Sequence, residues 1–471
     1  MASTGSSLAL ASAVLVLAGC SSSAAQATAT EREPAGRHAN LSARLDRIAS
    51  RALAREGAAV AGFSVAVVWR GDLVLAKGYG LADIDTRRPV AADSIFRIAS
   101  VTKQFTAAAV MKLVDAGKIR LDDPITAYLP DYPTREKITI RQLLTHTSGV
   151  KSYTELPSFP DDMTASMSRA QLVAKFAAEP LDFEPGARWH YSNSGYYLLG
   201  MVIEAVSGRS YADYLDANVF ASAGLADTAS CPDAQDYPRA AHGYRQNAGK
   251  LEPPAPLSMA YPFAAGALCS TAADLVTWGR ALATHRIVDE SAWKQMTSPV
   301  VLSDGSSFRY GFGLFLDDLA GHPSVSHGGG INGFASALRL YPADDLYVAV
   351  LVNTEESSLA DLLSVEIARS VLGVPEPEVT DQPIPAADAA AIAGTYRFDT
   401  IGTTVEVYVK DGAVMTRNAG STQSARLRAQ GDGSYLVPEL EARILFEFKR
   451  GKVINMRIER SGAAHEGARV P

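Results

Sequence analysis

Hydrophobic and polar positions alternate with a helical period through much of the first three quarters of the chain. Leu41, Leu45, Ile48 and Ala52 predict an amphipathic helix over about Asn40 to Arg55. Phe63–Trp69 and Leu73–Tyr79 alternate around Arg70-Gly71-Asp72, which predicts a hairpin. Val101, Phe105, Ala108, Val110, Met111, Leu113 and Val114 then predict a buried helix that opens at Ser100 and stops at Gly117. Thr139 and Gln142 have capping-box spacing, and the helix they open is expected to end at His146-Thr147-Ser148-Gly149. Residues 150–190 read as irregular, with a helical patch at Ala170–Ala178. Further helices are predicted over Ser194–Val206, stopped by Gly208, over Thr271–Ala283, and over Leu359–Leu372. Phe334–Tyr341 and Leu346–Asn353 have strand composition. Pro375, Pro377, Pro383 and Pro385 mark a linker, after which the period changes to two. Val405, Val407 and Val409 run up to the turn Asp411-Gly412, and Ile444–Phe448 and Val453–Ile458 flank Arg450-Gly451. A small antiparallel β domain over 388–471 follows from this pattern. It holds no cluster of catalytic residue types and reads as a packing or substrate-shaping module.

The length of 471 residues suggests two or three domains. A net charge of −7 leaves no basic surplus for phosphates, so nucleic-acid binding is not expected. Residues 1–19 form a targeting segment whose apolar stretch, Leu8–Gly19, is too short to span a bilayer. It ends in Leu17-Ala18-Gly19-Cys20 and resembles a bacterial lipoprotein signal, although Met1–Ser7 carries no Lys or Arg. That resemblance implies export, a lipid on Cys20, a flexible tether over 20–38, and membrane attachment at the periplasm or cell surface. An unused lipidation signal would leave the chain secreted. Cys231 and Cys269 lie 38 positions apart in a compartment that permits a disulfide. The small-residue setting of Cys269 nevertheless favours two free thiols. No zinc spacing or His-Glu-x-x-His occurs, and no metal or cofactor is expected.

The candidate chemistry starts at Ser100. A hydroxyl is a weak nucleophile until a base takes its proton, and Lys103 stands three residues on, on the same helix face. A helix start also offers free N–H groups to a developing oxyanion. Ser-x-x-Lys recurs at Ser148/Lys151 and Ser291/Lys294, the first in a predicted loop and the second on a polar surface helix. Only Ser100 opens a long apolar helix. His146 invites a Ser-His reading, but its place at a helix C-terminus assigns it to terminal carbonyls. Tyr191-Ser192-Asn193 is the one Tyr-x-Asn in the chain, and His327-Gly328-Gly329 stands at the front of a glycine run. Gly328-Gly-Gly-Ile-Asn-Gly333 matches a dinucleotide fingerprint but leads into a predicted strand rather than a helix, which argues against that use. Glycines that let backbone approach a ligand explain it better.

Together Phe96-Arg-Ile-Ala-Ser-Val-Thr-Lys103, Leu143-Leu-Thr-His-Thr-Ser-Gly149, Tyr191-Ser-Asn193, Gly266-Ala-Leu-Cys-Ser-Thr-Ala-Ala-Asp274 and His327-Gly-Gly329 resemble the serine β-lactamase and penicillin-binding-protein-like hydrolases. The branch is that of class C β-lactamases, esterases and D-aminopeptidases. The resemblance implies an α+β fold over 39–373, an antiparallel sheet flanked by helices with an all-helical subdomain beside it. A linker over 374–387 and the C-terminal β domain, similar to the lipocalin-like, barrel-like domain often appended to such hydrolases, follow. It implies Ser100 as nucleophile, Lys103 and Tyr191 sharing the base work, and Asn193 positioning lysine and substrate. Backbone N–H groups of Ser100 and Gly330 would form the oxyanion hole, with Gly328 and Gly329 lining the cleft. His327 departs from the lysine usual at that position in β-lactamases, which lowers the expectation of penicillin hydrolysis. An esterase or D-amino-acid peptidase or amidase acting through an acyl-enzyme is expected, on a small ester, peptide or amide. The alternatives are a β-lactamase or DD-carboxypeptidase of the same fold, and a non-catalytic envelope binding module.

Overall fold

The computed structural model describes residues 35–134, 136–159, 163, 167–376, 378–398, 403–419, 424–438, 442–460 and 463–470. The leader, Cys20 and the tether up to residue 34 lie outside the described residues. The first helix, α1 (Ala35–Glu56), begins inside the stretch read as tether.

A seven-stranded antiparallel sheet forms the centre. Its strands are β1 (Gly62–Trp69), β2 (Asp72–Asp83), β3 (Arg88–Pro89), β4 (Phe315–Leu319), β5 (His322–Ile331), β6 (Phe334–Tyr341) and β7 (Leu346–Val352). Their order is β4-β5-β6-β7-β1-β2-β3, so the C-terminal strands of this unit sit beside the N-terminal hairpin. The hairpin turns where expected, with Arg70 and Gly71 both at positive φ.

Strands β1 and β7 are buried on both faces, which explains their near-continuous apolar sequence. Phe63, Val65 and Val67 with Val348, Val350 and Val352 pack against α1 and against α5 (Leu359–Leu372). Ala66, Val68, Ala349 and Leu351 face the other way, into the core shared with α4 (Ala272–Ala283). Arg339 of β6 is buried between the sheet and α5, where Asp361 and Asp317 neutralise it and Ser364 accepts from it at 2.9 Å. Beside the sheet lies the helical part, built on α2 (Thr102–Asp115) and α3 (Asn193–Ser207). Phe105 of α2 stacks on Trp278 of α4 with ring centroids 4.0 Å apart, joining the helical part to the sheet.

Two elements are hidden in the sequence. Strand β4 holds Asp317 and Asp318, and β5 holds three consecutive glycines, both poor strand signals. The caps read at Thr139 and Thr271 each accept from a backbone N–H in the first turn, Gly208 closes α3 in the left-handed region as expected, and the structure adds Ser192 as the cap that opens α3.

The C-terminal part is a nearly closed, barrel-like antiparallel sheet of nine strands. These are β8 (Gly394–Phe398), β9 (Thr403–Lys410), β10 (Ala413–Asn418), β11 (Ala425–Arg426), β12 (Arg428–Ala429), β13 (Ser434–Val437), β14 (Ala442–Lys449), β15 (Lys452–Arg460) and β16 (Ala463–Arg469). The order is β11-β10-β9-β8-β16-β15-β14-β13-β12. The two edge strands are separated only by Leu427, so one short stretch of chain lies along both edges. Tyr396, Phe398, Val405, Val407, Ile444 and Met456 fill its interior. A short helix, Ala386–Ile392, begins within the stretch read as linker, because its alanines favour helix once Pro385 has fixed the approach. The imidazole of His465 on β16 lies 5.6 Å from the ring of Phe308, which belongs to the part of the chain before residue 374.

The expectation of two free thiols is corrected: Cys231 and Cys269 are disulfide-bonded, with Cα atoms 5.1 Å apart. Spacing could not show this, because the loop carrying Cys231 returns to a short strand, Leu268–Ser270, that only the fold brings near. That strand also pairs with Phe96–Arg97, just before Ser100, so the disulfide staples the segment that backs the nucleophile. Closing a loop of this length is worth about 3–4 kcal/mol through the unfolded chain. The Cys231→Ala, Cys269→Ala double variant should lose stability of that order in urea unfolding. An unchanged midpoint would show that the bond is not formed in solution.

Candidate active site

The chain turns sharply into α2. Ile98 N–H donates to Leu268 O at 2.9 Å, Ala99 takes a positive φ of 48°, and Ser100 sits in the single 3-10 turn that precedes the helix. A non-glycine residue at positive φ carries strain, here held by the strand pairing on one side and the helix on the other. Strand β5 lies against this turn. A Cβ on Gly329 would come within 2.5 Å of Ile98 O and 3.0 Å of the Ala99 Cβ, so only glycine permits the approach. Gly328 and Gly330, on the opposite face of the strand, are exposed.

Lys103, the second residue of α2, is fully buried. Its Nζ lies 3.0 Å from Ser100 Oγ, 2.9 Å from Asn193 Oδ1 and 2.7 Å from Ala265 O. Burial pushes this amine well below the usual lysine range. A neutral amine has two N–H donors and one lone pair. The two carbonyl oxygens can only accept, so they take the two donors and leave the lone pair for the Ser100 hydroxyl. The orientation of the Asn193 amide is set by its other end, whose Nδ2 donates to Thr154 Oγ1 at 3.2 Å.

Tyr191 closes the arrangement. The lysine nitrogen stands 4.8 Å from the centre of its ring. Burial raises the phenol above its ordinary range, against a smaller downward pull from its hydrogen bond with Ser100. The start of α3 is clamped to the turn at Ser152–Glu155: Asn193 N–H donates to Ser152 Oγ at 3.1 Å, and Tyr153 N–H donates to Ser194 Oγ at 2.8 Å. Ser100, Lys103, Tyr191 and Asn193, spread over more than ninety positions of sequence, are thus brought together.

His327 lies in the same cleft but only 3% exposed. Burial first, and then proximity to Lys103, bring its pKa down to about 3. Its Nε2 is 3.1 Å from Tyr310 Oη, and its Nδ1 is 2.6 Å from Gly328 O. His146 is structural, as expected, but not as a cap. Its helix ends at Leu144, it takes a positive φ of 59°, and its ring turns away from the helix carbonyls. Instead its Nδ1 accepts from Ser192 N–H at 3.1 Å and its Nε2 meets Tyr310 Oη at 3.2 Å. Nothing local in the sequence marks Tyr310, Thr154 or the Ala265 carbonyl, since each matters only through distant partners.

The other Ser-x-x-Lys pairs are not sites. Lys151 pairs with Asp182 at 3.0 Å and Glu155 at 3.6 Å, and Ser291 and Lys294 lie exposed on a surface helix. Among the described residues Glu155, Asp182 and His190 could offer metal ligands within 4.8 Å of one another. Lys151 already supplies their counter-charge, and the group is an ion-pair cluster at the rim of the cleft.

A sequence profile described as Beta-lactamase matches residues 50–370, more than half of the chain, and the chain belongs to that family. It is a hydrolase of this fold. It is 29% identical over 328 residues to penicillin-binding protein 4* of Bacillus subtilis (strain 168), covering 66% of this chain and 72% of that protein. A D-aminopeptidase of Gluconobacter oxydans (strain 621H) is 29% identical over 363 residues, or 76% of this chain and 66% of that protein. Among solved structures, a D-stereospecific amidohydrolase from Streptomyces sp. matches with a TM-score of 0.61 at 30% identity, covering 71% of this chain and 99% of that one.

The buried imidazoles have a consequence for stability. In the unfolded chain a histidine binds a proton below about pH 6.5, whereas His327 stays neutral in the fold to about 3. The unfolded state therefore binds more protons on acidification, and stability present above pH 6.5 is lost as pH falls, by up to about 1.4 kcal/mol per pH unit for each such group. Urea unfolding at pH 7.5 and 5.0 should show this loss, and His327→Gln should reduce it. An equally steep dependence in His327→Gln would mean that His327 titrates alike in both states.

Proposed function

We propose that this protein is an exported serine hydrolase that cleaves amides or short peptides of D-amino acids, and activated esters, through an acyl-enzyme on Ser100. The observation that carries the reading is the environment of Lys103, a desolvated amine whose N–H groups are taken by Asn193 Oδ1 and Ala265 O while its lone pair faces Ser100 Oγ. Such an amine accepts the serine proton as Oγ attacks the carbonyl carbon. The tetrahedral oxyanion accepts hydrogen bonds from the backbone N–H groups of Ser100 and Gly330. The proton returns to the leaving amine through the Lys103–Tyr191 pair, and a water activated by the same pair hydrolyses the ester. Burial lowers the lysine and raises the phenol, so in the resting site the phenol keeps its proton and the Lys103 amine is the group that takes the proton from Ser100.

The substrate class follows from charge and from the relatives. His327 is buried and neutral, which leaves no fixed cation where a penicillin carboxylate would be gripped. Uncharged amide and ester carbonyls need no such grip. The D-aminopeptidase and D-stereospecific amidohydrolase likenesses support the D configuration. The likeness to penicillin-binding protein 4* keeps a carboxypeptidase or β-lactamase reading as the second choice. Export is supported by the leader ending at Cys20, where lipidation would tether the enzyme, and by a disulfide suited to an oxidising compartment.

With D-amino-acid amides, L-amino-acid amides, a short-chain activated ester and a penicillin as substrates, turnover should be selective for the D-amide and the ester. Acyl mass from the ester should map to the peptide holding Ser100 and be absent in Ser100→Ala. Lys103→Ala and Tyr191→Phe should each lower kcat/KM by about 10²–10⁴-fold with little change in Tm. Faster acylation by penicillin than by the ester would install the second reading. No adduct and no turnover with any of the four would leave a binding module.

A further inference from the structure

The walls of the cleft are joined by a chain of hydrogen bonds whose two ends are backbone groups of fixed polarity. It begins at Ser192 N–H, between Tyr191 and Asn193. It passes through His146 Nδ1 at 3.1 Å, from His146 Nε2 to Tyr310 Oη at 3.2 Å, from Tyr310 Oη to His327 Nε2 at 3.1 Å, and ends from His327 Nδ1 on Gly328 O at 2.6 Å. A backbone N–H only donates and a carbonyl only accepts. His146 Nδ1 is therefore bare, and the proton of the neutral ring is on Nε2, where it donates to Tyr310. The carbonyl of Gly328 requires a proton on His327 Nδ1, so the neutral His327 ring has a bare Nε2 that must accept. Tyr310, with one proton to give, donates it there.

The reverse polarity fails at both ends. Tyr310 does have a third neighbour, the Tyr196 hydroxyl. Were Tyr310 to donate to Tyr196, His327 Nε2 would need the proton and its bare Nδ1 would face a carbonyl oxygen at 2.6 Å, lone pair against lone pair. Tyr196 itself spends its proton on Leu144 O at 2.7 Å.

We propose that Tyr310 is a positioning residue that locks the Nδ1–H form of His327 in place by donating to its bare Nε2 and, through His146, couples the β5 wall of the cleft to the wall carrying Tyr191. The groups packed around the chain fit this role. The His146 ring lies 4.3 Å from the Tyr191 ring and 5.1 Å from that of Tyr196, and Lys103, His327 and His190 are the titratable groups that face it. Phe315 flanks His327 at 5.3 Å and Trp189 flanks Tyr310 at 5.7 Å, so water has little access to the relay. A proton gained by His146 would set two donors against each other at Ser192. Orientation of the Tyr191 ring therefore depends on a residue more than a hundred positions away that touches no reacting atom. The catalytic consequence rests on the reading of the cleft given above, whereas the tautomer does not.

The test is a long-range proton–nitrogen correlation spectrum of histidine-labelled full-length protein at pH 7.5, with His146→Asn and His327→Gln used only for assignment. The expected result is opposite tautomers: His146 protonated at Nε2, His327 protonated at Nδ1, neither titrating between pH 8 and 5. Tyr310→Phe should leave the proton on His327 Nδ1, which Gly328 O still requires, but strip Nε2 of its donor and leave it free to gain a second proton as pH falls. It should lower kcat by about five- to tenfold at unchanged KM, the worth of one positioning hydrogen bond. It should also add an acidic limb to the pH profile. A His327 ring protonated at Nε2 in the wild type would overturn the proposal without need of any variant. So would a Tyr310→Phe protein whose His327 ring titrates, and whose pH profile runs, as in the wild type. Absence of turnover on every substrate, with the tautomers as expected, would refute the reading of the reaction and leave the lock standing.

Discussion

Burying a lysine among apolar helices is expensive unless its charge is given up, and this protein arranges for that. Every element around Lys103 serves to keep it dry and to occupy its N–H groups. The short helix before Leu268 supplies a carbonyl, and α3 supplies an amide oxygen oriented from behind by Thr154. The strained turn at Ala99 places the hydroxyl above the remaining lone pair. Loss of any one partner would leave either an unsatisfied carbonyl in a dry site or a base pointing elsewhere. Stability and reactivity are thus set against each other at one nitrogen, as expected where function needs a group held in its disfavoured protonation state.

The sheet explains how such distant segments meet. Because β5, β6 and β7 fold back beside the N-terminal hairpin, the glycines of β5 end up against the turn that carries Ser100. Gly329 is the point of closest approach, and the cleft exists because that strand lacks side chains there. The disulfide acts on the opposite side of the same turn, tying down the strand that pairs with Phe96–Arg97.

Much of this is legible without the fold, for a physical reason. Ser100, Lys103, Tyr191, Asn193 and His327 lie in local signals: a helix start, a cap and a glycine run. Such signals depend on neighbours in sequence. The helix caps and Leu359–Leu372 can be read for the same reason. What stays hidden depends on distant partners. Tyr310 sits in a segment with no period of its own and gains its meaning from two histidines that the fold delivers. The Cys231–Cys269 bond escapes a reading by spacing because its geometry is made by a strand pairing. Strands β4 and β5 escape because aspartates and glycines weaken the pattern that burial imposes elsewhere. His146 is rightly set apart from the nucleophile, yet the cap assigned to it is wrong, since its ring faces the aromatic cluster rather than its own helix.

The single stretch that lies along both edges of the C-terminal sheet has a further consequence. An open nine-stranded sheet presents two rows of unpaired backbone groups, each a template for another chain. Here Ala425–Arg426 covers one row, Arg428 and Ala429 cover the other, and buried Leu427 pins the crossing between them. These few residues guard the whole unit against strand addition. They are also where it would first come apart, since each half of the stretch has a ladder of two paired positions, to which the second half adds one bridge from Ala429 to Gln382. Proteolysis or aggregation of this part should therefore begin by release of one short segment rather than by melting of the long central strands, and its resistance to self-association is concentrated in the least extensive pairing it has.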